Sequence, residues 1–196
     1  MDYKNAVELL ENGEGKKVRD YFKENNYLLE YGYTYLLNGE LEKAKEILEP
    51  LCSTRAEWAI NMMTFLQDGK KRYPTFFQIR SFLEIDISLF FKYNQLSFIQ
   101  KLMDNSDTFQ DINMESYKFF ARGLLKHNYI QPAKMFLDKS LDDYYNDVEL
   151  HYLYAEFFML HHDKENTLKA VNTCLRLNPT YYPALKTQRE LTLKVN

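Results

Sequence analysis

His151, His161, His162 and Asp163 are the residues of this chain whose types most readily hold a metal ion. Zinc and its relatives need ligands that converge on one point, which on a helix means spacings such as i, i+4. Here His151 stands ten residues before His161, and the His161–His162 pair falls in a predicted turn, so no metal site is expected. Cys52 and Cys174 fall near the ends of predicted helices, and neither has the His and Asn or Asp of a known thiol-nucleophile signature arranged around it. They are expected to be structural thiols rather than a disulfide or a nucleophile. Asp142–Asp143 and Glu40 with Glu42 could in principle divide general acid and base work. They lie in turns or on predicted solvent faces, and the chain has neither a Gly-rich phosphate loop nor a nucleophile elbow. The expectation is a non-enzymatic protein with no cofactor.

Binding to nucleic acid or lipid is disfavoured on charge and hydropathy. Some helical-hairpin repeats read RNA, but phosphate contacts need a basic stripe that releases counterions. A net charge of −3 and a pI near 5.9 oppose this, and the run Lys70-Lys71-Arg72 reads as a solvated loop. No apolar stretch approaches the roughly 18 residues needed to span a bilayer, and the first 25 residues alternate charged with apolar side chains. The expected location is the cytoplasm.

The elements that position side chains are legible as a repeat. Blocks of 34 residues beginning at Arg80, Met114 and Val148, with a fourth out of phase at Asn25, place Gly32, Ile87, Ala121 and Ala155 in one column. Twelve residues later Ala44, Ile99, Ala133 and Thr167 form a second, mostly small column. Large residues fill the columns around them: Leu28, Leu83, Tyr117 and His151; Tyr35, Phe90, Leu124 and Phe158; Leu48, Met103, Leu137 and Val171. Between the two sets lie Gly39, Asn94, Asn128 and His162, turn candidates because Gly and Asn tolerate the left-handed conformation that stops a helix, and His does so less readily. Each block therefore predicts two helices crossing closely at small residues. Sixteen tyrosines, fourteen phenylalanines and one tryptophan supply the bulk such crossings need, and six glycines with five prolines leave few breaks.

This pattern resembles the tetratricopeptide repeat, a 34-residue antiparallel helix pair. The last block carries the resemblance best, through Cys174-Leu175-Arg176-Leu177-Asn178-Pro179, and Asn25 to Trp58 follows through Gly32, Tyr35, Gly39, Ala44, Leu48 and Leu51. The block at Arg80 departs most, with Ile87 and Ile99 in both small columns. The expected fold is all-α, a tetratricopeptide-like α-α superhelix in a single domain. Its parts are an N-terminal helical hairpin (1–24), a repeat (25–58), an irregular helical insert (59–79), repeats at 80–113, 114–147 and 148–181, and a capping helix (182–196). Within the hairpin, helical spacing flanks Gly13 and Gly15. In the insert, Trp58, Met62, Phe65 and Leu66 share a helical face, Asp68 to Pro74 breaks it, and a long helix follows from about Thr75 to Tyr93. The cap, Ala184 to Val195, sets Gln188, Arg189 and Thr192 where the blocks have apolar or small residues, as a terminal unit with a polar outer face requires.

The resemblance also implies a binding surface, because first helices of successive units line a groove in that family. The positions would be Leu29, Tyr33 and Leu37, then Glu84, Ser88, Phe91 and Lys92, then Lys118, Arg122 and Lys126, then Tyr152, Glu156 and Met159. The groove would be apolar at one end and basic in its middle, suiting a peptide or helix of another protein, an acidic one above all. The clamp by which some members hold a terminal carboxylate is not carried over, since Tyr33, Ser88 and Glu156 occupy its Asn positions. The implied function is an interaction scaffold, adaptor or small chaperone. The alternative is self-association, a homodimer through central helices carrying Phe76, Phe77, Phe82 and Phe91.

Overall fold

A computed structural model describes residues 1–67 and 70–193. Among them the backbone forms α-helices and no strand: α1 (Tyr3–Glu11), α2 (Gly15–Glu24), α3 (Leu28–Leu36), α4 (Leu41–Leu48), α5 (Thr54–Leu66), α6 (Phe76–Lys92), α7 (Leu96–Asp104), α8 (Ser106–Ile112), α9 (Ser116–Leu125), α10 (Ile130–Asp143), α11 (Val148–Leu160), α12 (Lys164–Leu177) and α13 (Tyr182–Leu193). They fall into two compact units, Met1–Ser116 and Tyr117–Asn196. Asp68 and Gly69 of the predicted break, and Val195 at the predicted end of the cap, lie outside the described residues.

Left-handed residues separate the paired helices. Gly13 (φ +90°) divides α1 from α2, Gly39 (+80°) α3 from α4, Asn94 (+55°) α6 from α7, Asn128 (+56°) α9 from α10, and His162 (+57°) α11 from α12. The last three stand 34 residues apart. Only residues that accept positive φ can reverse the chain this tightly, so the reversals fall where Gly, Asn and a tolerant His occur. At Gly13 a second constraint applies: a Cβ there would lie 2.8 Å from the Lys92 carbonyl oxygen.

In the first unit the small-residue column does what its size predicts. A Cβ on Gly32 would meet the Leu48 side chain at 2.5 Å, so α3 and α4 cross with no room for a methyl group, and Ala44 is buried in the same crossing. Ile87 and Ile99 are also buried, on α6 and α7. The first helix of the segment read as an insert is deeply buried. On α5, capped by Ser53 accepting from the Ala56 N–H at 3.1 Å, the run Trp58 to Met63, then Phe65 and Leu66, is buried on every side, as befits a helix with apolar residues all round. The long helix of this region begins at Phe76, under a capping box in which Thr75 Oγ1 accepts from Gln78 N and Gln78 Oε1 accepts from Thr75 N. After α7 the chain makes one further short helix, α8, which the block at Arg80 did not foretell.

The second unit is built from α9 to α13. Phe120 stacks on Phe136 with ring centroids 4.9 Å apart, joining α9 to α10, and Ala121 and Ala133 are fully buried. Ala155, Ala170, Val171, Cys174 and Ala184 form one apolar cluster that ties α11 and α12 to α13, with Tyr152, Phe158 and Tyr181 against it. Burial pushes the Cys174 thiol up to about 11, which makes it a packing residue rather than a nucleophile.

Candidate interaction surfaces

The metal-ligand candidates have local structural tasks. Asp163 caps α12, accepting from Asn166 N at 3.0 Å, and these bonds hold its carboxyl below the usual range. His162 makes the left-handed turn, and His151 Nε2 lies 2.8 Å from the Tyr145 carbonyl oxygen. No group of three or more His, Cys, Asp or Glu that could hold a metal ion occurs among the described residues. Glu40 of the acidic pairs meets Arg19 at 2.8 Å. None of the described helices is long and apolar enough to cross a membrane.

The positions at the apolar end of the expected groove are not on the surface. Tyr33 and Leu37 are buried, and Leu29 is half-buried. Side chains from α5 and α6 fill this space: the Arg55 guanidinium lies 4.7 Å from the Tyr33 ring centroid and 4.5 Å from that of Phe82, and pairs with Asp86. Asp86 itself is sealed from solvent, its Oδ2 accepting from Trp58 Nε1 at 2.6 Å and from the Tyr33 hydroxyl at 3.4 Å. Burial pushes the Asp86 carboxyl up, opposed by Arg55 and by these hydrogen bonds, and burial likewise lifts the Tyr33 hydroxyl well above its ordinary value. Sequence reasoning passed over both Arg55 and Asp86. The available signal was an aspartate on the face of α6 that also carries Leu83, Ile87 and Phe90.

In the basic middle, Lys126 is exposed but Lys118 is not. The Lys118 side chain is only 3% exposed, and its ammonium reaches Asp147 at 2.5 Å and Glu149 at 3.6 Å, while Arg122 meets Glu149 at 2.5 Å. The expected basic middle of the groove is thus a partly internal charge cluster, because the start of α11 brings two carboxylates to α9. Asp147 also caps α11 through Leu150 N at 3.0 Å. Burial alone would raise its carboxyl, but Lys118 and this cap outweigh it and hold the group below the ordinary value.

Of the other positions, Phe91 is half-buried and Lys92 exposed on α6. Tyr152, Glu156 and Met159 are half-buried on α11, separated by helical turns. The Tyr152 hydroxyl lies 3.1 Å from Thr187 Oγ1 on α13. At the end of this row a cleft of about 300 Å³ opens between Met159, Thr167, Thr187 and Leu191, with His162, Lys164 and Glu190 at its margin. Two further clefts, of about 450 and 550 Å³, lie along α4 and α5 and share Ile60 and Arg72.

What the described residues define is an all-α protein of helix pairs with an open cleft in its second unit. No protein-family model, curated protein or solved structure matches the chain significantly.

Proposed function

We propose that this protein is a non-enzymatic protein–protein interaction scaffold, an adaptor or small chaperone built of tetratricopeptide-like helix pairs, and that it holds a partner segment on the α11 face that ends at Met159. The observation that carries this reading is the cleft itself: Met159 and Leu191 offer an apolar seat, Thr167 and Thr187 line it, and its volume of about 300 Å³ suits one large side chain of an extended or helical peptide. The 34-residue spacing of the left-handed turns supports the resemblance from which the groove was inferred. An acidic preference draws no support from Lys118 and Arg122, whose charges already meet Asp147 and Glu149, so the partner is read as presenting an apolar anchor.

The test is selection from a displayed peptide library, followed by calorimetric titration of the selected sequence. Met159→Arg and Leu191→Arg, each at a half-buried site, should weaken binding by about tenfold or more while leaving the melting transition nearly unchanged. A library that yields no binder, or a binder indifferent to both substitutions, removes the assignment.

A further inference from the structure

The solvent face of α6 carries a feature that the cleft does not use. Phe77, Ser81 and Ile85 follow one another at intervals of four residues, so they share a stripe, and Phe77 is 73% and Ile85 52% exposed. The stripe is rigidly mounted. Leu83, Ile87 and Phe90 anchor the opposite face in the core, the capping box fixes the first turn, Gln78 Nε2 is bonded to Glu57 at 2.9 Å, and Asn113 Nδ2 donates to the Phe76 carbonyl at 3.2 Å. A phenylalanine held in water by so firm a helix is not a frayed end.

The order of sizes along the stripe is large, small, large. A two-fold axis through Ser81 maps this pattern onto itself with the helices antiparallel, so that Phe77 of each copy meets Ile85 of the other over the two serines. The charges agree with this register. Arg80 is exposed on one flank and Glu84 follows one turn later on the same flank, so the same axis sets each near its opposite in the second copy. Glu84 already has a contact within its own chain, so its part is to fix register rather than to supply affinity. From these observations we infer that α6 is the interface of an antiparallel homodimer centred on Ser81. With only Phe77 and Ile85 as its large exposed apolar side chains, the stripe makes a small contact, so the dimer is weak, with a dissociation constant on the order of 1–100 µM.

Sedimentation velocity from about 1 to 300 µM on the full chain tests this, a range chosen to bracket that dissociation constant. The mass should rise from 23.5 kDa toward twice that value, and Phe77→Glu with Ile85→Glu should raise the dissociation constant by about tenfold or more. A second measurement does not depend on how that variant folds. In a Cys52→Ser background, which removes the exposed native thiol, Ser81→Cys should form an interchain disulfide on mild oxidation. Lys92→Cys should not, since the antiparallel register holds the two copies of residue 92 roughly 33 Å apart along the helices. A chain that stays monomeric overturns the inference, including a monomer that recruits an added amphipathic helix to α6. So does a dimer untouched by the glutamates, or equal cross-linking at both cysteines. The peptide cleft lies on other residues, so its titration stands or falls separately.

Discussion

Asp86 in the first unit and Lys118 in the second are both charges taken out of water, but opposite members of the two ion pairs are sealed. Asp86 has no exposure while its partner Arg55 keeps 19%; Lys118 keeps 3% while Asp147 keeps 21% and Glu149 48%. A sealed carboxylate loses hydration that its donors only partly replace, and its carboxyl is pushed up. A carboxylate left partly in water keeps that hydration and gains a cation, and its carboxyl is pulled down. Pairing lowers the carboxyl in both units, and it is the balance of burial against pairing that takes opposite sign.

The sharpest way to break this comparison is to remove each sealed charge. Asp86→Ala strands Arg55, together with the Trp58 and Tyr33 donors, in the core of the first unit and should cost about 3–5 kcal/mol in urea melts. Lys118→Met keeps most of the bulk and leaves Asp147 and Glu149 with access to water, so its loss should be smaller, about 1.5–3 kcal/mol. Equal losses at the two sites would show that it does not matter which member is sealed.

The smallest effect is the dependence on pH, and it carries the sign. Asp86 has a raised carboxyl, so the stability it contributes is fully present below its ordinary range and is lost as pH rises through the folded value. Asp147 has a lowered carboxyl, so its contribution is present above the ordinary range and is lost as pH falls through the folded value. Melts of the parent against Asp86→Asn and Asp147→Asn between about pH 3 and 7 should give stability differences with opposite slopes. Parallel slopes would contradict the assignment.

The same contrast explains how much of the molecule was legible in its sequence. The helix pairs were, because Gly39, Asn94, Asn128 and His162 mark reversals by local backbone preference, and Gly32 and Ala44 mark a crossing by size. The long helix was close to its observed span because Thr75 and Gln78, three residues apart, write its cap within one turn. Seven-residue α8 carries too little periodicity to be read, and on α5 the face of Trp58, Met62, Phe65 and Leu66 was legible while the burial of Ala59, Ile60 and Met63 on its other sides was not. Of the groove, the row Tyr152, Glu156 and Met159 lies beside a cleft, but the residues that complete it, Thr187 and Leu191, come from the segment read only as a cap. Tyr33 and Lys118 were misplaced for one reason. What covers them arrives from elsewhere in the chain: Asp86 lies 53 residues from Tyr33, and Asp147 lies 29 from Lys118. Periodicity reports which residues share a face and is silent about what later lands on it.

The glycine corner between α1 and α2 has a further consequence, in the timing of synthesis. The Tyr93 hydroxyl accepts from Gly15 N and donates to the Leu10 carbonyl, both at 2.8 Å, so the first hairpin is fastened by a residue 78 and 83 positions downstream. A nascent chain that has released α1 to α5 from the ribosome still lacks this fastening. Its first hairpin can form by its own short-range contacts, but any pause in translation before the end of α6 emerges leaves Gly15 N and the Leu10 carbonyl without this fastening.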